Sequence, residues 1–243
     1  MIRISLTIPA RNEQSYLPRL LDTVESARAR YGYGAAAVEV IIADNVSTDG
    51  TAVIARDRGC TLVTVEKRVI GAVRNAGAAA ARGSILAFVD ADARIHPETF
   101  NAIDDAIDSG KIVAGASGVR RERMSLGLAV TWALFMPLVW LTRMDTGVTF
   151  CRRDAFEAIG GYREDMRFAE DVRLLFDLRR WGKEHGMRLT RTRSAKALAS
   201  TRKFDTHGDW HYLTGVFTLP FRMLVARRSA NEFVDRYWYD ARG

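Results

Sequence analysis

A chain of 243 residues, 48% hydrophobic and 27% charged, suits one large folded domain and argues against a disordered or low-complexity polypeptide. The formal charge of +7 favours anionic partners (nucleotide phosphates, nucleic acid or lipid headgroups) without choosing among them. The two cysteines, Cys60 and Cys151, lie far apart and lack metal-ligand spacing, which argues against a disulfide framework or a zinc knuckle and for a reducing compartment.

In chain order, Ile2, Ile4, Leu6 and Ile8 alternate with Arg3, Ser5 and Thr7, the period of a strand. Leu17, Leu20, Leu21 and Val24 recur at helical spacing. A second strand is expected over Val38 to Ala43, ending at Asp44, then a helix from Thr51 to Arg58 that Gly59 stops. Thr61 to Val65 reads as a third strand, Ala72 to Arg82 as a small-residue helix closed by Gly83, Ile85 to Val89 as a fourth strand, and Pro97 to Ile107 as a helix. This rhythm of strand and helix predicts an α/β fold, a mostly parallel sheet with helices on its faces. After Ile112 the rhythm breaks. A strand-like IVAGASGV is followed by the apolar Leu126 to Leu141, an amphipathic helix from Asp171 to Glu184, and a basic, aromatic tail after Ser194. One continuous domain over 1–243 is expected, with the strand–helix rhythm over 1–118 and a helical and irregular part over 119–243.

Open parallel sheets bind ligands beyond the carboxyl ends of their strands. Three predicted ends carry polar signatures: Pro9-Ala10-Arg11-Asn12-Glu13, Asp44-Asn45-Val46-Ser47-Thr48-Asp49-Gly50, and Asp90-Ala91-Asp92. In an extended chain residues i and i+2 point the same way, so Asp90 and Asp92 are expected to present two carboxylates on one side. Such a pair wants a nearby cation. Magnesium or manganese suits it, because these ions take one or two carboxylates and complete their shell with water and phosphate oxygens. A solvated turn is the bland alternative. Gly71 to Gly77 has neither the ending of a P-loop nor the spacing of a dinucleotide fingerprint. A diphosphate would therefore need a metal and a basic residue such as Arg74.

The ordered set IPARNEQSYLPRLL, ADNVSTDGT, GAVRNAG, FVDADA and GGYREDMRFAEDVRLLFDLRRWG resembles family 2 glycosyltransferases over roughly Ile4 to Gly182. The resemblance implies a GT-A (Rossmann-like) fold and a nucleoside-diphosphate sugar donor. It further implies that Pro9, Arg11 and Glu13 line the nucleotide pocket, that Asp44 hydrogen-bonds the base, and that Asn45, Ser47 and Asp49 shape its loop. Arg74 would sit near the base or diphosphate. Asp90 would contact the ribose or the metal, and Asp92 would bind the metal, manganese or magnesium. Glu170-Asp171 matches the family's Glu-Asp motif, whose Asp is the catalytic base of inverting members. A carboxylate in a partly desolvated pocket can take the proton of an attacking hydroxyl. Two acids also suit the first turn of a helix for electrostatic reasons alone.

Weaker features are His207 as an extra metal ligand or a solvated loop residue, and Arg202 with Lys203 as a clamp on the diphosphate. Leu126 to Leu141 is shorter than the ~20 residues of a spanning helix, and reads as an acceptor-side core helix, an interfacial helix or a dimer surface. Gly160-Gly161-Tyr162 suits either close backbone approach to a sugar or a simple turn.

The expected activity is metal-dependent, inverting transfer of a sugar, most readily from a UDP-sugar, to a hydroxyl of a glycan, a lipid-linked or small-molecule acceptor, or a protein. The alternatives are an inactive nucleotide-sugar-binding relative and a retaining transferase of the same fold. A nucleotidyltransferase would want a Gly-rich basic loop after the first strand. The scattered basic residues carry no nucleic-acid recognition motif, so no nucleic-acid partner is expected. MIRISLTIPARNE lacks the apolar segment of a signal peptide. A cytoplasmic chain is expected, with its basic tail as a peripheral contact to the inner membrane surface.

Overall fold

The computed structural model describes residues 1–123, 125, 127, 129–130, 133–134, 147–166, 169–202 and 208. The polypeptide forms two compact units, 1–120 with 143–199 and 121–142 with 200–243. The first holds a sheet of seven strands: β1 (Ile4–Ala10), β2 (Val38–Asp44), β3 (Thr61–Thr64), β4 (Ile85–Phe88), β5 (Ile112–Arg121), β6 (Thr149–Arg152) and β7 (Arg188–Ala199), in the order β3-β2-β1-β4-β6-β5-β7. β1 to β4 run parallel, whereas β6 is antiparallel to both β4 and β5. The parallel α/β part expected from the strand–helix rhythm is therefore present, and the sheet is mixed. Its strands β6 and β7 lie in short or basic stretches of weak hydrophobic period and were not legible.

Helices cover both faces. α1 (Leu17–Ala29), α2 (Thr51–Asp57) and α4 (Thr99–Asp108) pack with Ile4, Leu6 and Ile8 of β1 into one core. α3 (Ile70–Ala80), α5 (Arg153–Ala158) and α6 (Glu170–Glu184) pack with Ile41, Leu86 and Phe88 into the other. Every residue of β1 is buried, so its polar positions also face helices. Ser5 Oγ donates to Glu39 Oε1 at 2.6 Å and accepts the Gly83 N–H at 2.8 Å. Thr7 lies under Gly77 of α3, where a β-carbon would collide with its Cγ2 methyl. The run of small residues in α3 thus lets that helix lie close on β1.

β1 sits between β2 and β4, so the chain winds outward to β3 and then returns to the other side of β1. The carboxyl ends of β1 and β4 flank this reversal, the place where an open sheet leaves a crevice for a ligand. Among the described residues no helix is long and apolar enough to cross a membrane. Most of the apolar segment Leu126 to Leu141, His207 with Lys203, and nearly all of the tail beyond Arg202 lie outside the described residues. Arg202 is described; its N–H donates to Ser200 Oγ at 3.1 Å.

The close contact of α3 and β1 gives a stability test. Gly77→Ala is expected to cost about 1–3 kcal/mol by overpacking, read from the urea midpoint. Adding Thr7→Ser, which removes the colliding methyl, should recover part of that loss.

Candidate active site

The first wall of the crevice is built from two loops laced together. β1 and β2 end in register, Ala10 beside Asp44. The Asn45 N–H donates to Ala10 O at 2.8 Å, and Arg11 Nη1 donates to Asn45 O at 3.0 Å. Asn45 spends its own amide on the carbonyls of Val65 and Lys67, at 2.6 and 3.2 Å. The Asp44 carboxylate accepts from the Ser47 hydroxyl and N–H. Asn12 and Val46 adopt left-handed backbone, at φ 52° and 53°. The Asn12 N–H donates to Ser47 Oγ at 3.0 Å, and Asn12 Oδ1 accepts the Thr48 N–H at 2.8 Å. Asp49 caps Thr51 and accepts the Gln14 N–H. Pro9, Glu13, Asp44 and Asn45 are all buried, and Arg11 is half-buried. The structure thus brings these five residues together at one end of the sheet. It also shows that Asn45, Ser47 and Asp49 have a structural task in holding the two loops.

The other wall centres on Arg74. It rises from the first half of α3, and its side chain is only 6% exposed. Nη1 donates to Glu170 Oε1 at 2.9 Å and to Asp171 Oδ1 at 2.6 Å, and Nη2 donates to Asp90 Oδ1 at 2.9 Å. One buried cation therefore gathers an acid from the end of β4 and two from the first turn of α6. Burial disfavours the guanidinium charge, but the negative field led by Asp171 outweighs it and leaves Arg74 firmly protonated. Burial pushes the Glu170 carboxyl above its ordinary value of 4.5 against the pull of Arg74, and the charges of Asp171 and Asp90 add to the rise. In this conformation both terminal nitrogens of Arg74 face acids rather than an open phosphate pocket.

The alternation argument for Asp90 and Asp92 does not hold. The Ala93 N–H donates to Asp90 O at 3.1 Å, so Asp90 to Ala93 form a turn and not an extended strand end. Asp90, exposed over 55% of its side chain, turns to Arg74, and Asp92 is half-buried beside it in sequence. Among the described residues no group of three or more His, Cys, Asp or Glu side chains converges as a ready metal cage. The donors fit a hard divalent cation nonetheless: both are carboxylates at an accessible edge, and such an ion draws its remaining ligands from water and phosphate.

The side chains of two contributors to this wall, Tyr162 and Asn75, have no role in the sequence reading, which takes Gly160-Gly161-Tyr162 only for its backbone. Tyr162 is buried, edge-on to Phe88 at 5.2 Å between ring centroids, with the Arg74 guanidinium 5.2 Å over its ring. Its hydroxyl donates to Asp171 Oδ1 at 3.0 Å. Asn75, next to Arg74, holds the backbone of Tyr162 at both ends: Oδ1 accepts the Tyr162 N–H and Nδ2 donates to the Tyr162 carbonyl, each at 2.9 Å. Gly160 and Gly161 take φ of 78° and 71°, and a β-carbon on Gly161 would lie 2.7 Å from Asn75 Oδ1. At Gly161 the close approach is thus to Asn75 of the chain itself, whereas a β-carbon on Gly160 would meet nothing within 4 Å. A Gly-Gly-Tyr with an Asn following the Arg was the available signal, but only contact shows that they meet.

The profile of glycosyl transferase family 2 matches residues 5–160. An uncharacterized glycosyltransferase of Mycobacterium bovis is 29% identical over 130 residues, 53% of this chain and 53% of that protein. The chain spans about half or less of the length of the curated relatives that it matches. Among solved structures, S. aureus TarS 1–349 in complex with UDP-GlcNAc superposes with a TM-score of 0.62 at 20% identity, covering 83% of this chain and 59% of that one. Glucosyl-3-phosphoglycerate synthase from Mycobacterium tuberculosis, in complex with Mn2+, UDP and glucosyl-3-phosphoglycerate, gives 0.61 at 18% identity, covering 89% and 79%. These structures establish the GT-A fold expected from the sequence.

The raised Glu170 carboxyl sets a pH dependence. Above 4.5 this one carboxyl holds more proton in the folded state than in the unfolded one, so its own contribution to stability falls as pH rises. Denaturant midpoints of Glu170→Gln, compared with wild type across that window, should lack this falling contribution.

Proposed function

The chain belongs to glycosyl transferase family 2, and from that premise we propose that it moves a sugar from a nucleoside-diphosphate sugar to an acceptor hydroxyl, with inversion and with the help of a divalent metal ion. A UDP-sugar is the favoured donor, supported by UDP and UDP-GlcNAc in the structural relatives. The observation that carries the reading is the junction at Arg74, where an acid from the donor-side strand end meets the two acids that open α6.

In this reading residues 1–118 supply most of the donor site and 119–243 the acceptor site. The laced loops of Pro9, Arg11, Glu13, Asp44 and Asn45 form the wall for the base and ribose. Asp92, with Asp90, would hold magnesium or manganese, which supplies positive charge to the departing diphosphate. Asp171 is the base. The acceptor O–H bond breaks and its proton passes to the Asp171 carboxylate. The oxygen bonds to the anomeric carbon, while the bond from that carbon to the diphosphate oxygen breaks and its electron pair leaves with the nucleotide. Glu170, driven toward its neutral form by burial, limits the negative charge beside the base.

The acceptor is a hydroxyl on a glycan, a lipid-linked or small molecule, or a protein, and the basic tail would serve peripheral contact with an anionic membrane.

Incubation with a panel of UDP- and GDP-sugars, acceptors and manganese tests the reading, and the anomeric configuration of the product separates inversion from retention. Asp171→Asn is expected to keep donor binding by calorimetry while losing at least about 100-fold in transfer, the low end of a general-base contribution. Wild-type turnover in that variant refutes its role. For Asp92→Ala, manganese-dependent donor binding should be lost, and unchanged metal dependence would refute the ligand assignment.

A further inference from the structure

Among the described residues two side chains donate to Asp171, and both end on the same oxygen. Arg74 Nη1 reaches Oδ1 at 2.6 Å and the Tyr162 hydroxyl reaches it at 3.0 Å. Among the described residues nothing donates to Oδ2. The phenol is a dependable donor, because burial, with the Asp171 charge adding to it, raises its pKa well above the ordinary value. Its ring cannot easily move, since Phe88 and Phe156 lie edge-on at 5.2 and 6.0 Å and Asn75 grips its backbone at both N–H and carbonyl. The groups facing Asp171 from neighbouring elements are Arg74 of α3, Tyr162 of the loop before α6, Asp90 beyond β4 across the Arg74 guanidinium, and Glu170 beside it.

We propose that Tyr162, gripped by Asn75, is a positioning residue that fixes the Asp171 carboxylate through Oδ1 and so reserves Oδ2 as the oxygen that takes the acceptor proton. The proposal rests on the reading of Asp171 as the base. Two donors on one oxygen remove the rotation about the Cβ–Cγ bond that would exchange Oδ1 with Oδ2. A carboxylate held at one angle presents its free lone pair to the hydroxyl without a search, which is where orientation contributes to rate. A buried tyrosine that only filled space would need a partner for its hydroxyl, but that partner need not be the reacting group.

Tyr162→Phe keeps the ring and its packing and removes one hydrogen bond. With a donor that the wild type turns over, kcat is expected to fall about ten-fold while donor KM stays within about two-fold, the signature of lost orientation rather than lost binding. A second readout needs no turnover. With aspartate carboxyls labelled with carbon-13, the Asp171 resonance is assigned by its absence in Asp171→Asn, and it should be displaced in Tyr162→Phe. An undisplaced resonance, or wild-type kcat and KM, overturns the proposal. If Asp171→Asn is inactive while Tyr162→Phe behaves as wild type, the base assignment stands and only the positioning role falls. If Asp171→Asn is fully active, both fall together.

Discussion

A buried positive charge needs negative partners, and around Arg74 that need joins α3, the end of β4 and the head of α6. Leaving a guanidinium in a protein interior without acids costs several kcal/mol, and breaking a buried pair by removing one member typically costs about 3–5 kcal/mol. Arg74 finds its three acids on two separate stretches of chain: Asp90 after β4, and Glu170 and Asp171 at the head of α6, with the face of Tyr162 beneath. The end of the parallel sheet, α3 and the start of α6 therefore converge on one side chain. An isolated pair of acids at a helix start is a favourable electrostatic detail. Through Arg74 the same pair is tied to the carboxyl end of β4, which brings all three acids to one point.

That junction is possible because α3 is narrow. Gly77 brings the helix onto Thr7 of β1, and Gly71 leaves room for the carbonyl of Arg163, which a β-carbon would approach to 2.8 Å. Small residues thus set how near the helix stands to the sheet on one side and to the loop leading toward α6 on the other. Arg74 and Asn75, adjacent on α3, then divide their work. The first holds the acids and the second holds the backbone of Tyr162. The nucleotide-side wall uses a different device, lacing two loops with short polar side chains. Ser47, Asn12 and Asp49 satisfy backbone groups that a loop end would otherwise leave unpaired.

Much of this was legible from local pattern. β1 to β4 and their helices follow from hydrophobic period and Gly stops, and the described bounds of α2 and α3 fall within two residues of those expected. The polar strand ends and the resemblance to family 2 picked out Asp44, Asp90 and Asp171, which the structure places at the carboxyl ends of β2 and β4 and at the head of α6. β6 and β7 were not legible. β6 is four residues long, and β7 interleaves basic residues with small ones, so neither shows a clear period of two. The alternation of Ile4, Leu6 and Ile8 with Ser5 and Thr7 suggests a half-wet strand, yet both faces are buried, because the polar positions meet Glu39 and the gap above Gly77.

By itself the amino-acid sequence determined the strand–helix succession and the acids that end its strands, because period, turn residues and motif order are local properties of the chain. Only the tertiary structure decided which acids share a cation, that Asp90 to Ala93 turn instead of extending, and that Tyr162 and Asn75 belong to the site. Arg74 lies 16 residues from Asp90 and 97 from Asp171, and Asn75 lies 87 from Tyr162. Pairings over such separations are set by how α3 and α6 pack on one face of the sheet, and no local pattern encodes that packing.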